Sequence, residues 1–231
     1  METQQHISQR YNEELESVKS KVLNMGGMVE AQVVSAVSAL IEQNDELAKQ
    51  VAESDYKINK IEVEIDENCA QLIAKRQPAA GDLRLIIAII KVITDLERIG
   101  DEAEKIGRHV QKLVSLEGDI GMYAELSSLG SKVIDILHDA LDAFARMDIE
   151  QAAKVVETDK QIDKEFNRVS RILVTHMMED PRNIKNMLHV TWCARALERI
   201  GDHSQNICEY VIYLVKGQDV RHTKFNLSKD Q

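Results

Sequence analysis

The hexapeptide Leu-Glu-Arg-Ile-Gly-Asp occupies residues 96–101 and recurs letter for letter at residues 197–202. Upstream of each copy, Glu-Ser-Asp at 53–55 corresponds to Glu-Thr-Asp at 157–159. The two pairs of segments are offset by 101 and 104 residues, so a few small insertions account for the drift. A repeat of about a hundred residues is too long for one unit of a solenoid, and it predicts two related halves.

Each half contains three stretches in which apolar residues recur every three or four positions, the spacing of an amphipathic helix. Pro78 and Pro181 are the only prolines, and each precedes the third stretch of its half. Aromatic residues make up only 4% of the chain, which disfavours an all-β protein. We therefore predict an all-α fold of two pseudo-symmetric three-helix bundles. The bundles span residues 1–117 and residues 118–231, and the second ends in a polar tail after Gly217.

The balance of charge limits the classes of partner. The 231 residues include 29 Lys and Arg against 39 Asp and Glu, for a formal net charge of −10. Nucleic acid and anionic lipid usually bind basic surfaces, so the overall composition argues against both. Cations and basic protein surfaces are the expected partners, although the acidic residues could also serve solubility alone.

The cysteines and the hydropathy indicate a compartment. Cys69, Cys193 and Cys208 form no Cys-x-x-Cys pair and lie inside helical patterns, so we expect reduced, buried thiols. No signal-peptide pattern opens the chain. The longest strongly apolar run, residues 85–90, is far shorter than the roughly 20 residues of a membrane span. These features predict a soluble, cytoplasmic protein.

The repeated hexapeptide places two carboxylates on one helix face in each half. Glu97 and Asp101 are four residues apart, as are Glu198 and Asp202. Like charges at this spacing destabilise a helix by a few tenths of a kcal/mol, and partial burial raises that cost. A bound divalent cation would remove the penalty. The glycine inside each hexapeptide costs about 1 kcal/mol relative to alanine, which suggests that a neighbouring helix approaches closely there.

The second helix of each half carries matching polar residues. Asp55 and Asn59 in the first half correspond to Asp159 and Asp163 in the second. Glu62 and Asp66 continue the same face in the first half only, because Phe166 and Ser170 replace them. If the second and third helices are antiparallel, four oxygen-bearing side chains converge in each half. Such clusters suit Mg, Mn, Fe or Zn ions and discriminate poorly among them.

Other interpretations remain open at this point. A single Glu-x-x-x-Asp pair is common on solvated helices, so the acids could be ordinary surface charge on a metal-free helical adaptor. A carboxylate-bridged metal hydrolase or oxidase is a second alternative. The sequence contains no glycine-rich phosphate loop, nucleophile elbow or His-Glu-x-x-His motif, so we predict no enzymatic activity. Trp192 fits a core or interface position.

Four motifs, in order, carry a resemblance to a known family. They are Ala-Lys-Arg-Gln-Pro-Ala-Ala-Gly-Asp-Leu-Arg at 74–84, the two copies of the hexapeptide, Phe-Ala-Arg-Met-Asp at 144–148 and Lys-Gly-Gln-Asp at 216–219. Together they resemble the PhoU family, accessory regulators of bacterial phosphate-specific transport. The resemblance covers essentially the whole chain.

The resemblance implies a regulator and not an enzyme. Its expected role is negative regulation of phosphate uptake and of the phosphate-starvation response. The implied partners are the ATPase subunit of the phosphate ABC transporter, a sensor histidine kinase and a second copy of the chain. The protein would then be cytoplasmic and would lie at the inner membrane through its partners.

The resemblance also implies metal clusters held by E/D-xxx-D motifs. Matched residue by residue, the implied ligands are Asp55, Glu97, Asp101, Asp159, Asp163, Glu198 and Asp202. Asn59 stands where the family pattern has Asp, which implies a weaker site in the first half. Glu62 and Asp66 are possible additional ligands.

The loop around Pro78 is a candidate contact for a partner protein. Arg76, Asp82 and Arg84 are its charged residues. The equally open alternative is that they only build a well-made turn between two helices, with Asp82 as the cap.

Overall fold

The computed structural model describes residues 2–116 and 123–217, and its ordered elements in those ranges are all helical. The helices are α1 (Glu2–Glu42), α2 (Asp45–Ser54), α3 (Tyr56–Arg76), α4 (Ala80–Val114), α5 (Tyr123–Arg146), α6 (Ile149–Glu179) and α7 (Ile184–Lys216). A short 3-10 turn, Pro181–Asn183, leads into α7. The predicted boundary at residues 117–118 and the predicted polar tail lie outside the described residues. None of the described helices is both long and apolar enough to cross a membrane.

Local sequence signals explain where the helices begin and end. Asn44 caps α2 by accepting a hydrogen bond from the amide of Leu47, and Asp148 caps α6 in the same way through Glu150 and Gln151. Such caps satisfy amide groups that have no acceptor within the helix. Gly217 ends α7 with a φ of 75°, in the left-handed region that glycine adopts most easily.

The second predicted helix is divided, which the periodic pattern does not reveal. It breaks into α2 and α3 at Asp55, whose backbone stays right-handed with φ −57° and ψ −36°. The carbonyl of Val51, in the last turn of α2, accepts hydrogen bonds from the side chains of Ser54 and Gln32. The break therefore falls on one of the predicted ligands, among polar side chains.

Helices α4 and α7 pack against each other through the centre of the molecule. Asp95 contacts His203 at 2.7 Å, Glu102 contacts Arg199 at 3.1 Å and His109 contacts His189 at 3.0 Å. Because residue numbers rise on α4 as they fall on α7, the two helices are antiparallel. Helices α1, α2 and α3 pack on α4, and α5 and α6 pack on α7.

The contact between α1 and α5 shows the pseudo-twofold relation of the halves. A Cβ atom on Gly26 would lie 2.8 Å from Leu141, and one on Gly130 would lie 2.7 Å from Val37. The repeat offset of 104 residues relates Gly26 to Gly130 and Val37 to Leu141. The fold is thus the all-α, pseudo-symmetric arrangement that the sequence predicted. The three cysteines are buried and unpaired, as expected.

Candidate metal sites

The glycine of each hexapeptide lets an acidic side chain lie directly against the helix. A Cβ atom on Gly100 would be 3.2 Å from Oδ1 of Asp55, and one on Gly201 would be 3.0 Å from Oδ1 of Asp159. Any larger residue would crowd these carboxylates. The close approach that the repeated glycine suggested is therefore present in both halves.

In the first half, three carboxylates converge at the junction of α2, α3 and α4. Oxygen atoms of Asp55, Asp101 and Glu104 all lie within 4.8 Å of one another. Asp55 is buried, and Asp101 and Glu104 are half-buried. Burial, opposed by the hydrogen bond from Asn59 and reinforced by the charges of Asp101 and Glu104, raises the pKa of Asp55. The group has the size and chemistry to hold a cation.

Two other predicted ligands of the first half flank this group. Asn59 donates a hydrogen bond from Nδ2 to Oδ2 of Asp55 at 2.9 Å, which leaves its own carbonyl oxygen available. Glu97 stands apart from the three converging carboxylates. Burial is the largest cause of the raised pKa of Glu97, and the charges of Asp101 and Glu62 add to it. Asn59 and Glu97 therefore interact with the three carboxylates, although neither is one of them.

The possible additional ligands, Glu62 and Asp66, lie along α3 and outside the converging group. Burial, and then the charge of Asp66, raises the pKa of Glu62. Because the charge of Glu62 also acts on Glu97, the acidic surface extends from the three carboxylates toward α3.

In the second half, α6 and α7 bring together Asp163, Glu198 and Asp202, whose oxygen atoms also lie within 4.8 Å of one another. All three were predicted. Asp159 lies beside them under Gly201, where burial and then the charge of Asp202 raise its pKa to about 7. Burial likewise leads the causes that raise the pKa of Glu198, whereas Asp163 and Asp202 are exposed. A cation would relieve this mutual repulsion.

Unsatisfied oxygen atoms test whether these residues fit a metal ion. Gln32 Oε1, Asp55 Oδ1, Asn59 Oδ1 and Glu198 Oε2 are buried, and none has a hydrogen-bond partner within the described part of the chain. A buried acceptor without a partner costs roughly 1–3 kcal/mol. These atoms are hard oxygen ligands, the type that Mg and Mn ions prefer and that Fe and Zn ions accept. The donor set therefore fits a divalent cation.

Arginine neighbours leave an oxygen free on each glutamate. Arg108 donates both of its hydrogen bonds to Oε1 of Glu104, and Arg195 donates to Oε1 of Glu198. Each arginine orients its glutamate through Oε1, so Oε2 does not accept a hydrogen bond from that arginine. The arginines thus orient the acids without closing the groups to a cation.

Comparison with known proteins settles the family. The family model described as the PhoU domain matches residues 22–110 and residues 126–211. The chain belongs to the PhoU family. A PhoU relative from Serratia marcescens, a phosphate-specific transport system accessory protein, is 52% identical over 217 residues, covering 94% of this chain and 89% of that protein.

Crystal structures of two PhoU proteins share the fold. PhoU from Pseudomonas aeruginosa is 51% identical, with a TM-score of 0.88 over 90% of this chain and 100% of that one. The phosphate transport system regulatory protein PhoU from Streptococcus pneumoniae is 29% identical, with a TM-score of 0.83 over 91% of this chain and 99% of that one. The PhoU-like helical architecture is therefore confirmed.

Glu104 is the one member of the two groups that the sequence did not predict. It lies three residues after Asp101, on the same helix face, but the equivalent residue of the second half is Gln205. The repeat therefore gives no signal for Glu104. Conversely, Asn59 of the first half corresponds to Asp163 of the second. The groups also differ at two pairs of equivalent acids, because Asp55 and Glu198 belong to them while Asp159 and Glu97 lie outside them. Each half nevertheless brings three carboxylates together.

Two of the charged residues near Pro78 contact other helices of the chain. Arg76 pairs with Glu14 of α1 at 2.8 Å, and Arg84 lies over the ring of Tyr213 at 5.7 Å. Burial and then the charge of Asp82 raise the pKa of Tyr11 to about 12. The expected cap by Asp82 is wrong, because α4 begins earlier, with Ala79 at its N-cap position and Asp82 inside its first turn. The contacts of Arg76 and Arg84 give these two residues a structural role between helices, and the role of all three in contacting a partner stays a prediction.

Proposed function

We propose that this protein is the regulatory accessory component of a phosphate uptake system. It restrains phosphate uptake and the phosphate-starvation response when phosphate is plentiful. It does so by binding the ATPase subunit of the phosphate transporter and a sensor histidine kinase, as a cytoplasmic homodimer held at the membrane by these partners. The identity of 52% across nearly the whole chain, with a relative named as an accessory protein of phosphate-specific transport, carries this proposal.

The regulatory role has a direct test in cells. In a bacterium that lacks its own copy, phosphate-starvation genes should be expressed even in phosphate-rich medium, and this chain should restore repression. Co-purification with the transporter ATPase and with the sensor kinase tests the two contacts separately. Failure of the chain to restore repression, at normal protein levels, would contradict the role.

We further propose that each half binds a divalent metal ion, Mg, Mn, Fe or Zn. Asp55, Asp101 and Glu104 would hold it in the first half, with Asn59 and Glu97 beside them. Asp163, Glu198 and Asp202 would hold it in the second half, beside Asp159. The ion would neutralise repelling carboxylates and hold α4 to the α2–α3 junction and α7 to α6. Unpartnered oxygens on Asp55, Asn59 and Glu198 support this proposal.

The metal content of natively purified, untagged protein tests this arrangement. Mass spectrometry should find stoichiometric metal in the unaltered chain and little in an Asp101→Asn/Asp202→Asn double variant. A Glu46→Gln/Glu150→Gln variant is the matched control, since it removes two exposed acids at equivalent positions of the repeat. If the control variant also lost its metal, the loss would reflect the lower negative charge of the protein and not the removal of specific ligands.

The two alternatives give different results in the same preparation. A metal-free adaptor predicts no bound metal in any variant and loss of partner binding when the acids are removed. A carboxylate–metal enzyme predicts turnover of phosphoesters, or reaction with oxygen, that the double variant abolishes. The names of the relatives favour an accessory protein over an enzyme.

A further inference from the structure

The first turns of α7 expose a continuous apolar stripe at one end of the molecule. Ile184, Leu188 and Trp192 follow at four-residue spacing and are 40%, 46% and 57% exposed. Residues four apart lie on one helix face, so these side chains form a single strip. Met178, which is 78% exposed, lies in the last turn of α6, just before the short turn that leads into α7. Contiguous exposed apolar surface of this kind marks a binding site.

Two lysines flank this stripe, and two histidines support its tryptophan. The ring of Trp192 stacks on His109, with centroids 6.3 Å apart and planes 9° from parallel. His109 in turn contacts His189 at 3.0 Å. Burial leads the causes that lower the pKa of both histidines; the charge of Lys112 acts on both of them, and the charge of Lys185 acts on His189. Trp192 is thus exposed and stacks on a pair of histidines on which the charges of two lysines act. We call Met178, Ile184, Leu188, Trp192, Lys112 and Lys185 the Trp192 patch.

Local charge at this end differs from that of the whole chain. At the end of α6, Asp180 is paired with Arg182, and Glu179 lies 3.7 Å from His176, which is charged only when it is protonated. Electrostatic forces between exposed groups fall off over roughly 8–10 Å at physiological salt. The lysines of the patch therefore matter more to an approaching surface than the net charge of −10 does.

We propose that the Trp192 patch docks on the surface of an anionic lipid bilayer. Tryptophan favours the boundary between lipid tails and headgroups, because its ring is apolar and its N–H is polar. Leucine, isoleucine and methionine can enter the same boundary, while lysines at its rim attract acidic headgroups. This contact goes beyond the proposed regulatory role and does not depend on the metal sites. It also marks a local exception to the repulsion that the overall composition predicts.

The fluorescence of Trp192, the only tryptophan of the chain, provides the test. Vesicles of phosphatidylcholine mixed with phosphatidylglycerol are added in the presence of a chelator, so that no metal bridges acids to headgroups. The emission should shift to shorter wavelength, and an aqueous quencher should become less effective. Raising the ionic strength, or using phosphatidylcholine alone, should weaken the response.

Variants locate the contact while Trp192 stays in place as the reporter. Leu188→Glu should weaken vesicle binding about tenfold or more, because an apolar contact is replaced by a charge. Ile87→Glu is the matched control and should bind normally, since Ile87 is the equivalent exposed residue of α4 and lies outside the patch. Lys112→Glu/Lys185→Glu should remove the dependence on phosphatidylglycerol, and circular dichroism checks that each variant is folded.

Either of two results would overturn the proposal. One is an emission spectrum that vesicles do not change, even if a purified protein partner does change it. The other is a vesicle response that Leu188→Glu and Ile87→Glu reduce equally.

Discussion

Asp159 lies in a position that opposes folding unless a proton or a cation is present. Its pKa in the folded chain is about 7, raised chiefly by burial from an ordinary value of 3.8. Between these values the folded state holds a proton that the unfolded state has released. In metal-free protein, the stabilising effect of that proton is complete below about pH 4 and is lost as the pH rises through 7. At pH 8 the buried charge then lowers the free energy of unfolding by about 4 kcal/mol.

Replacing Asp159 with asparagine should therefore stabilise the metal-free protein at high pH. Urea unfolding with a chelator present, at pH 5 and pH 8, should show that Asp159→Asn raises the free energy of unfolding, relative to the unaltered chain, by more at pH 8 than at pH 5. Added metal should reverse the order, because the variant lacks a charge that a cation would favour. If the free energy of unfolding changes with pH by the same amount in the unaltered chain and in Asp159→Asn, Asp159 does not carry the buried charge.

Close approach between helices depends on glycine at particular points of an element. A Cβ atom on Gly107 of α4 would lie 2.7 Å from the backbone carbonyl of Ala48 in α2, which cannot move aside as a side chain can. Gly107→Ala should therefore lower the free energy of unfolding by about 1–3 kcal/mol, despite the better helix propensity of alanine.

A second glycine provides the control for this prediction. Gly27 lies inside α1, and a Cβ atom there would meet nothing within 4 Å. Gly27→Ala should raise the free energy of unfolding by about 1 kcal/mol, since only helix propensity changes. Thermal or urea unfolding of both variants measures the two effects. Equal shifts would mean that α2 and α4 do not approach at Gly107.

The sequence predicted the helices better than it predicted their breaks and contacts. Apolar periodicity and the two prolines were enough to place six helical stretches, because burial of one face decides helix formation. The break at Asp55 left no mark on that pattern, since its backbone stays helical and Ile58 keeps the apolar spacing. Glu104 was missed for a different reason: its neighbours across the helix interface are set by packing and not by the repeat.

At the scale of the whole molecule, the two halves form similar groups of carboxylates from different residues. Each brings three carboxylates together: Asp55, Asp101 and Glu104 in the first half, and Asp163, Glu198 and Asp202 in the second. The first half has Glu104 where the second has Gln205, and the second has Asp163 where the first has Asn59. The pseudo-twofold fold therefore preserves the number of acids at each site while the contributing helix positions change. Equivalence between the halves lies in their geometry more than in their sequence.

This exchange predicts a rescue between the two halves. Glu104→Gln should lose the metal of the first half, because two close carboxylates hold a divalent cation less strongly than three. Adding Asn59→Asp should restore it, since the first half then carries the acids of the second. Metal content by mass spectrometry should fall by about half in the single variant and recover in the double variant. Gln205→Glu in the unaltered chain is the control and should lose no metal. Full metal content in Glu104→Gln, or no recovery on adding Asn59→Asp, would show that the two sets of acids are not interchangeable.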